Sequence, residues 1–214
     1  MKLRKLPLLI AISFFVAAFV ATSLRAAAPF WLDKPPAEWT DQELISLITD
    51  SPWAQMVAAP SDKAPGMQLY LATATPLDMA ERERERRYRI RHPKTGEQAG
   101  DLLVEEYRTW LAENRATQIV LAIGTGQAGA FSNEQETRQM EQECVMRIGR
   151  KKYKMTGHFP PSAGDPYLRL AFPRVATAAD KTVTFDLYVP GVSMGARSAE
   201  FTIKDMIVKG KLEM

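Results

Sequence analysis

The sequence predicts an α+β fold: a mainly antiparallel sheet with a C-terminal run of strands, and about three to four helices in the N-terminal and middle parts. Three observations carry it. From Lys152 onward apolar residues recur at every second position, in Tyr153 and Met155, then Leu168, Leu170 and Phe172, then Val183, Phe185 and Leu187, then Phe201 and Ile203. Before that point the apolar residues follow helical spacing and are introduced by cap signatures. Between the helical stretches, residues 118–123 form a short, nearly all-apolar run, the mark of a buried strand. The chain has 214 residues, 46% hydrophobic and 25% charged, which suits one domain or at most two small ones with a real core.

Thr40 opens the first helix, with Glu43 three residues on to complete a capping box. Trp39 before the cap and Leu44 within the helix make a hydrophobic staple, and Leu44, Ile45, Leu47 and Ile48 supply its apolar face. Ser51-Pro52 reads as a second cap-then-proline helix start. Residues 59–66, with two prolines and a glycine, read as a linker or exposed loop. Residues 67–75 read as a strand, ended by Pro76. A charged helix is expected over 77–91, where Asp78 with Arg82, Glu83 with Arg87 and Glu85 with Arg89 are spaced i,i+4 in the favourable order. Thr95 and Gln98 form another cap signature, and the helix after it aligns Ala99, Leu103, Tyr107, Trp110 and Leu111 in one stripe. A polar helix is expected from Ser132 to about Arg147, with Met140, Cys144 and Ile148 as its buried edge, and a last strand over 207–213. The expected organisation is a leader over 1–28, a Trp/Pro-rich segment with a short helix over 29–66, and a single α+β domain over 67–214.

Charge excludes some partners. Four of the 28 cations, Lys2, Arg4, Lys5 and Arg25, lie in residues 1–28, leaving 24 against 25 acids, so the body is near neutral. Overall charge therefore argues for neither nucleic acid nor anionic lipid. One cysteine and two histidines, His92 and His158, exclude an internal disulfide framework and any multi-cysteine or multi-histidine metal site.

Residues 1–5 are basic and residues 8–24 are an uncharged apolar run, followed by Arg25-Ala26-Ala27-Ala28. This reads as an export signal cleaved between Ser23 and Ala27, or as an uncleaved anchor. Seventeen helical residues span roughly 25 Å, short of a hydrocarbon core of about 30 Å. Either way the body is exported, to the bacterial periplasm or beyond, and meets the membrane only through this segment.

Two stretches carry a family resemblance. The first holds Phe30-Trp31, Lys34-Pro35-Pro36, Trp39-Thr40, Glu43 and Ser51-Pro52-Trp53-Ala54. The second holds Phe172-Pro173-Arg174, Asp180-Lys181, Val183, Phe185, Phe201, Lys204-Asp205-Met206 and Gly210-Lys211-Leu212-Glu213. Together they resemble a family of exported proteins, common in acidobacteria, that has no assigned function. The resemblance implies export and one fold unit from Trp31 to Met214, and it implies no catalytic residues.

Four features could carry chemistry or contact. Gly124-Thr125-Gly126-Gln127-Ala128-Gly129 has the dinucleotide-loop spacing, but the polar segment after it is a poor crossover helix and the strands beyond alternate. Cys144 with His158 could be a nucleophile and base, although Cys144 sits on the apolar edge of its expected helix. Arg147, Arg150, Lys151, Lys152 and Lys154 place five cations in eight residues, a candidate contact for an acidic partner or a solvated helix end and strand start. Trp31 and Trp53 are candidate partner or ligand contacts, or pins that hold the N-terminal segment to the body. No cofactor, metal or catalytic residue is implied. The first reading is an exported non-catalytic domain that binds a protein of the cell envelope. The alternatives are a secreted or periplasmic enzyme without a recognisable motif, and a small-ligand or glycan-binding module.

Overall fold

The computed structural model describes residues 29–61, 66–92, 100–125, 131–162 and 165–214, those at 100–104 as backbone. The expected leader, the cap at Thr95 and most of the Gly124–Gly129 motif lie outside the described residues. Phe30–Asp33 forms a single-turn helix, α1, and its Phe30 ring meets Trp39 at 5.5 Å. In α2 (Asp41–Thr49) both halves of the capping box form: the Thr40 hydroxyl accepts from the Glu43 N–H at 3.1 Å, and the Glu43 carboxylate accepts from the Thr40 N–H at 2.7 Å. Trp39 and Leu44 are both buried, as the staple requires.

Ser51-Pro52 does not start a helix. The Ser51 hydroxyl donates to the Leu47 carbonyl at the end of α2, and the chain turns straight into β1 (Ala54–Val57). The same hydroxyl accepts from the Trp53 N–H at 3.3 Å, which closes a turn in place of a helix, and β1 gains a partner strand. That partner is β2 (Met67–Leu71), which stops short of the expected Thr75 because the Thr73 hydroxyl accepts from the Val120 N–H and bends the chain.

Helix α3 (Thr75–Arg91) carries all three expected ion pairs, Arg82 to Asp78, Arg87 to Glu83 and Arg89 to Glu85. Helix α4 (Gly100–Asn114) buries Tyr107 and Leu111 and leaves Trp110 half-buried. Strand β3 (Gln118–Gly124) is buried through its middle, as its apolar run predicts. Helix α5 (Glu134–Glu143) is capped by Asn133, starts two residues after the expected Ser132 and ends four residues before the expected Arg147. Val145–Ile148 is instead strand β4, with Met146 and Ile148 facing inward. The cause is non-local: β4 gains strand partners on both sides, β5 (Lys151–Lys154) and β8 (Thr182–Asp186). The remaining strands are β6 (Gly157–Phe159), β7 (Tyr167–Pro173) and β9 (Ser198–Thr202). The expected last strand folds back on itself as a small hairpin, β10 (Ile207–Val208) with β11 (Lys211–Leu212). Lys209 and Gly210 both have positive φ, 49° and 80°, which is the two-residue turn that such hairpins use.

The fold class matches the sequence reading. Five strands pair in the order β1-β2-β3-β7-β6 and four in the order β5-β4-β8-β9, every pair antiparallel. One face of the first sheet presents Leu69, Leu71, Leu121, Ile123, Leu168, Leu170 and Phe172, and Phe172 meets Phe185 of the second sheet at 5.2 Å. The other face presents Tyr70, Ala122, Arg169 and Phe159 in one cross-strand row and is covered by the helices. Both faces are covered over their middle strands, so the first sheet is a middle layer.

Two clasps close the molecule. The Gln55 amide of β1 donates to the Glu200 carbonyl of β9 at 3.0 Å, and the Gly195 N–H donates to the Ala58 carbonyl at 3.2 Å. The Trp53 indole N–H donates to the Glu213 carbonyl at 2.6 Å, while the Glu213 carboxylate accepts from Thr75 at the start of α3. Met214 is buried beside them. A third device joins the helices. Glu83 takes a two-pronged contact from Arg86 and a third bond from Arg87, which also reaches Asp41 at 2.7 Å and the Trp39 carbonyl. The hydrogen bonds from Arg86, then from Arg87, hold the Glu83 carboxyl down at about 2.

Gly195→Ala tests the first clasp. A Cβ there would lie 2.6 Å from the Ala58 and Ala59 carbonyl oxygens, so backbone must move and urea unfolding should show a loss of about 1–3 kcal/mol. Glu83→Gln tests the third device. At pH 7 it should cost about 1–3 kcal/mol, the value of hydrogen bonds to a charged group. Because the folded carboxyl titrates below its ordinary 4.5, the wild-type advantage should be complete above that pH and fade as the pH falls towards 2. Urea midpoints of the two proteins across that window check the sign.

Candidate functional site

Arg169 is the most deeply placed cation among the described residues. It projects from the middle of β7 into the helix-covered face and is 6% exposed. Its Nη1 donates to Glu81 of α3 at 2.9 Å and its Nε to Asp165 at 2.6 Å. Its guanidinium lies over the Tyr107 ring of α4, 4.3 Å from the centroid. The Tyr70 hydroxyl donates to the same Glu81 oxygen from β2. Burial works against the charge, but Glu81, Tyr107, Tyr70 and Asp165 more than offset it and hold Arg169 protonated. Burial first, then Glu81, raises the Tyr70 phenol well above its ordinary range. The Tyr107 hydroxyl is the one buried side-chain polar atom that meets no hydrogen-bond partner among the described residues. The cluster pins two helices and a loop to the sheet, and its carboxylates are spent on Arg169 and Tyr70.

A chain of rings leads outward from this cluster. Tyr107 meets Phe159 of β6 edge-on at 5.2 Å, and Phe159 meets Trp110 of α4 at 5.2 Å. Phe159 and Trp110 are half-buried and floor an open depression of about 480 Å³ between α4 and β6. Glu105, Glu106, Thr109 and Glu113 rim it. Among the described residues Glu106 and Glu113 meet no cation, and Glu105 meets only Arg108 at 3.9 Å. Arg108 spends its closer contact on Glu85 of α3. Among the described residues the lining therefore offers two aromatic rings and three carboxylates, with no base.

The residues singled out in the sequence are dispersed. Trp53 is 1% exposed and Trp31 packs edge-on against it at 5.8 Å, so Trp53 has no face left for a partner and the pair pins the N-terminal segment to the core. Arg147 makes a two-pronged ion pair with Asp186 of β8, through Nε at 2.7 Å and Nη2 at 2.9 Å. Arg150, Lys151, Lys152 and Lys154 are exposed on the turn and on β5, an outer strand of its sheet. The segment is a hairpin, not a helix end, and lysines along an outer strand discourage pairing with another chain. The Cys144 thiol donates to the Tyr188 carbonyl and accepts from the Tyr188 N–H, both at 3.3 Å, and burial pushes it up to about 11. His158 faces Glu141 at 3.6 Å instead. Gly124 ends a strand flanked by antiparallel β2 and β7, whereas a dinucleotide loop joins a strand to the crossover helix of a parallel sheet. Among the described residues no group of His, Cys, Asp or Glu is placed to hold a metal ion, and no helix is long and apolar enough to cross a membrane.

Sequence reasoning placed Trp110 on a core stripe and missed Phe159 and the rim glutamates. The available signal was the spacing of Glu106, Trp110 and Glu113, which puts all three along one side of a helix. No family model, curated protein or solved structure matches the chain.

Arg169→Ala would leave the partly buried Glu81 and Asp165 without their cation and should cost up to about 3–5 kcal/mol in urea unfolding. Arg169→Lys should fall between, since it keeps the charge but cannot reach both carboxylates and lie flat on Tyr107. A cost under about 1 kcal/mol for the alanine variant would show that the cluster is not the fastening described.

Proposed function

We propose that this chain is an exported, non-catalytic domain that binds another component of the cell envelope, a protein in the first instance. Export is supported by the basic, apolar, then small-residue order of residues 1–28. Binding is supported by one observation above the others: Trp110 and Phe159, both partly exposed, converge on one open depression, the α4–β6 one, whereas Trp39, Trp53, Phe172 and Phe185 are buried. Partly exposed aromatic rings that are backed by a rigid layer make good anchors, because they offer a large area at little cost in side-chain freedom. Here the backing is Tyr107 on Arg169.

Thr109, exposed on the rim, is the position to probe. The full chain carrying a photoreactive amino acid in place of Thr109 is expected, on illumination in its own cells, to give one adduct of defined mass. The same group at Asp205, exposed and outside the depression, should give none. Adding Trp110→Ala should remove at least nine-tenths of the adduct, the effect of losing a central aromatic anchor. No adduct at position 109, or equal adducts at both positions, overturns the reading.

A further inference from the structure

The lining of the α4–β6 depression selects a kind of occupant as well as offering contact area. We infer that it receives an extended basic segment of a protein, with two lysine or arginine side chains three residues apart that straddle Trp110; this rests on the binding function proposed for the same depression.

Three features of the lining point there. First, its charge is one-sided: Glu105, Glu106 and Glu113 rim the two rings, and among the described residues the one cation that meets any of them is Arg108, 3.9 Å from Glu105 and closer to Glu85. A neutral occupant would leave that repulsion standing, and a cationic one removes it. Second, the rings suit a cation. A guanidinium already lies on an aromatic face one layer below, Arg169 on Tyr107 at 4.3 Å, and Phe159 and Trp110, meeting edge-on and tilted, carry that chain of rings to the surface. Arginine and lysine bind open aromatic faces in the same way. Third, the spacing fits. Glu106, Trp110 and Glu113 fall at i, i+4 and i+7 of α4, so the outer carboxylates are about 10.5 Å apart along the helix. A polyproline-II segment repeats every three residues at about 3.1 Å each, which sets cations at i and i+3 about 9 Å apart on one side. Each cation then faces one carboxylate, and the residues between them lie across Trp110. A strand of β geometry would point alternate side chains away and engage one cation alone.

The depression is open rather than enclosed, which favours a segment laid across it over a small molecule held within it. The basic hairpin at β4–β5 belongs to the second sheet, while the depression is built on the first, so the test variants leave it untouched.

The test titrates the mature chain with a nine-residue peptide of three Arg-Pro-Pro repeats. Its Gln-Pro-Pro and Glu-Pro-Pro counterparts and a neutral β-glucan hexasaccharide are run in parallel, by calorimetry and tryptophan emission. The arginine peptide is expected to bind at least tenfold more tightly than the glutamine peptide, and the glutamate peptide not to bind. The double variant Glu106→Gln with Glu113→Gln, both at exposed positions, should weaken the arginine peptide at least tenfold and flatten its salt dependence. Glu134→Gln on α5 should change neither, and Trp110→Ala should abolish binding. Equal binding of the arginine and glutamine peptides, no effect of the double variant, or binding of the hexasaccharide alone overturns the inference. If the adduct at position 109 forms in cells while the arginine peptide does not bind, the binding function stands and its basic occupant is refuted.

Discussion

Arg169 is the constraint on which the rest of the architecture depends. A guanidinium in the middle of a sheet face needs its charge answered on the spot, because water is excluded there. The answer comes from four directions: Glu81 on α3, Asp165 on the loop before β7, the Tyr107 ring on α4, and Tyr70 through Glu81. Apolar contact alone would let a helix slide over a sheet at little cost. A fork with two fixed carboxylates does not, so helix register, sheet face and loop geometry are set together. The price is a single buried centre on which three elements depend.

That dependence shapes the surface. Tyr107 is held flat by Arg169, Phe159 is held by Tyr107, and Trp110 rests on Phe159. The outermost rings are therefore positioned by a charge two layers inside. A rigid aromatic floor of this kind loses little freedom when it is covered, the condition under which modest area gives useful affinity. The exposed lysines of β5 have no such backing and serve better as a guard on an open strand.

What could be read from the sequence was what nearby residues decide for themselves. The Thr40–Glu43 box, the Trp39 staple, the i,i+4 pairs of α3 and the apolar run of β3 depend on neighbours within a few residues, and all formed. The misreadings share an opposite cause. Ser51 turned back to α2, Val145–Ile148 left its helix for strands brought in from residues 151 and 182 onward, and 207–213 doubled back at Lys209-Gly210. Arg169 stood between Leu168 and Leu170 like the solvent face of an alternating strand, and only the helices laid over that face make it interior. The depression was hidden for the same reason: Trp110 and Phe159 are far apart in the chain and share no local pattern, although Glu106, Trp110 and Glu113 already lay on one side of their helix.

The bond between the Trp53 indole and the Glu213 carbonyl spans 160 residues. A ribosome delivers these two partners 160 residues apart. Until residue 213 has emerged, the place where β1, α3 and the C-terminal hairpin meet lacks its closing piece, and the Trp53 N–H has no acceptor there. Local elements can form as they appear, but this junction must wait for residue 213, and it carries the entropic burden of closing so long a loop. The N-terminal segment therefore keeps this fastening open until residue 213 is made, so the junction is among the last parts of the fold to close.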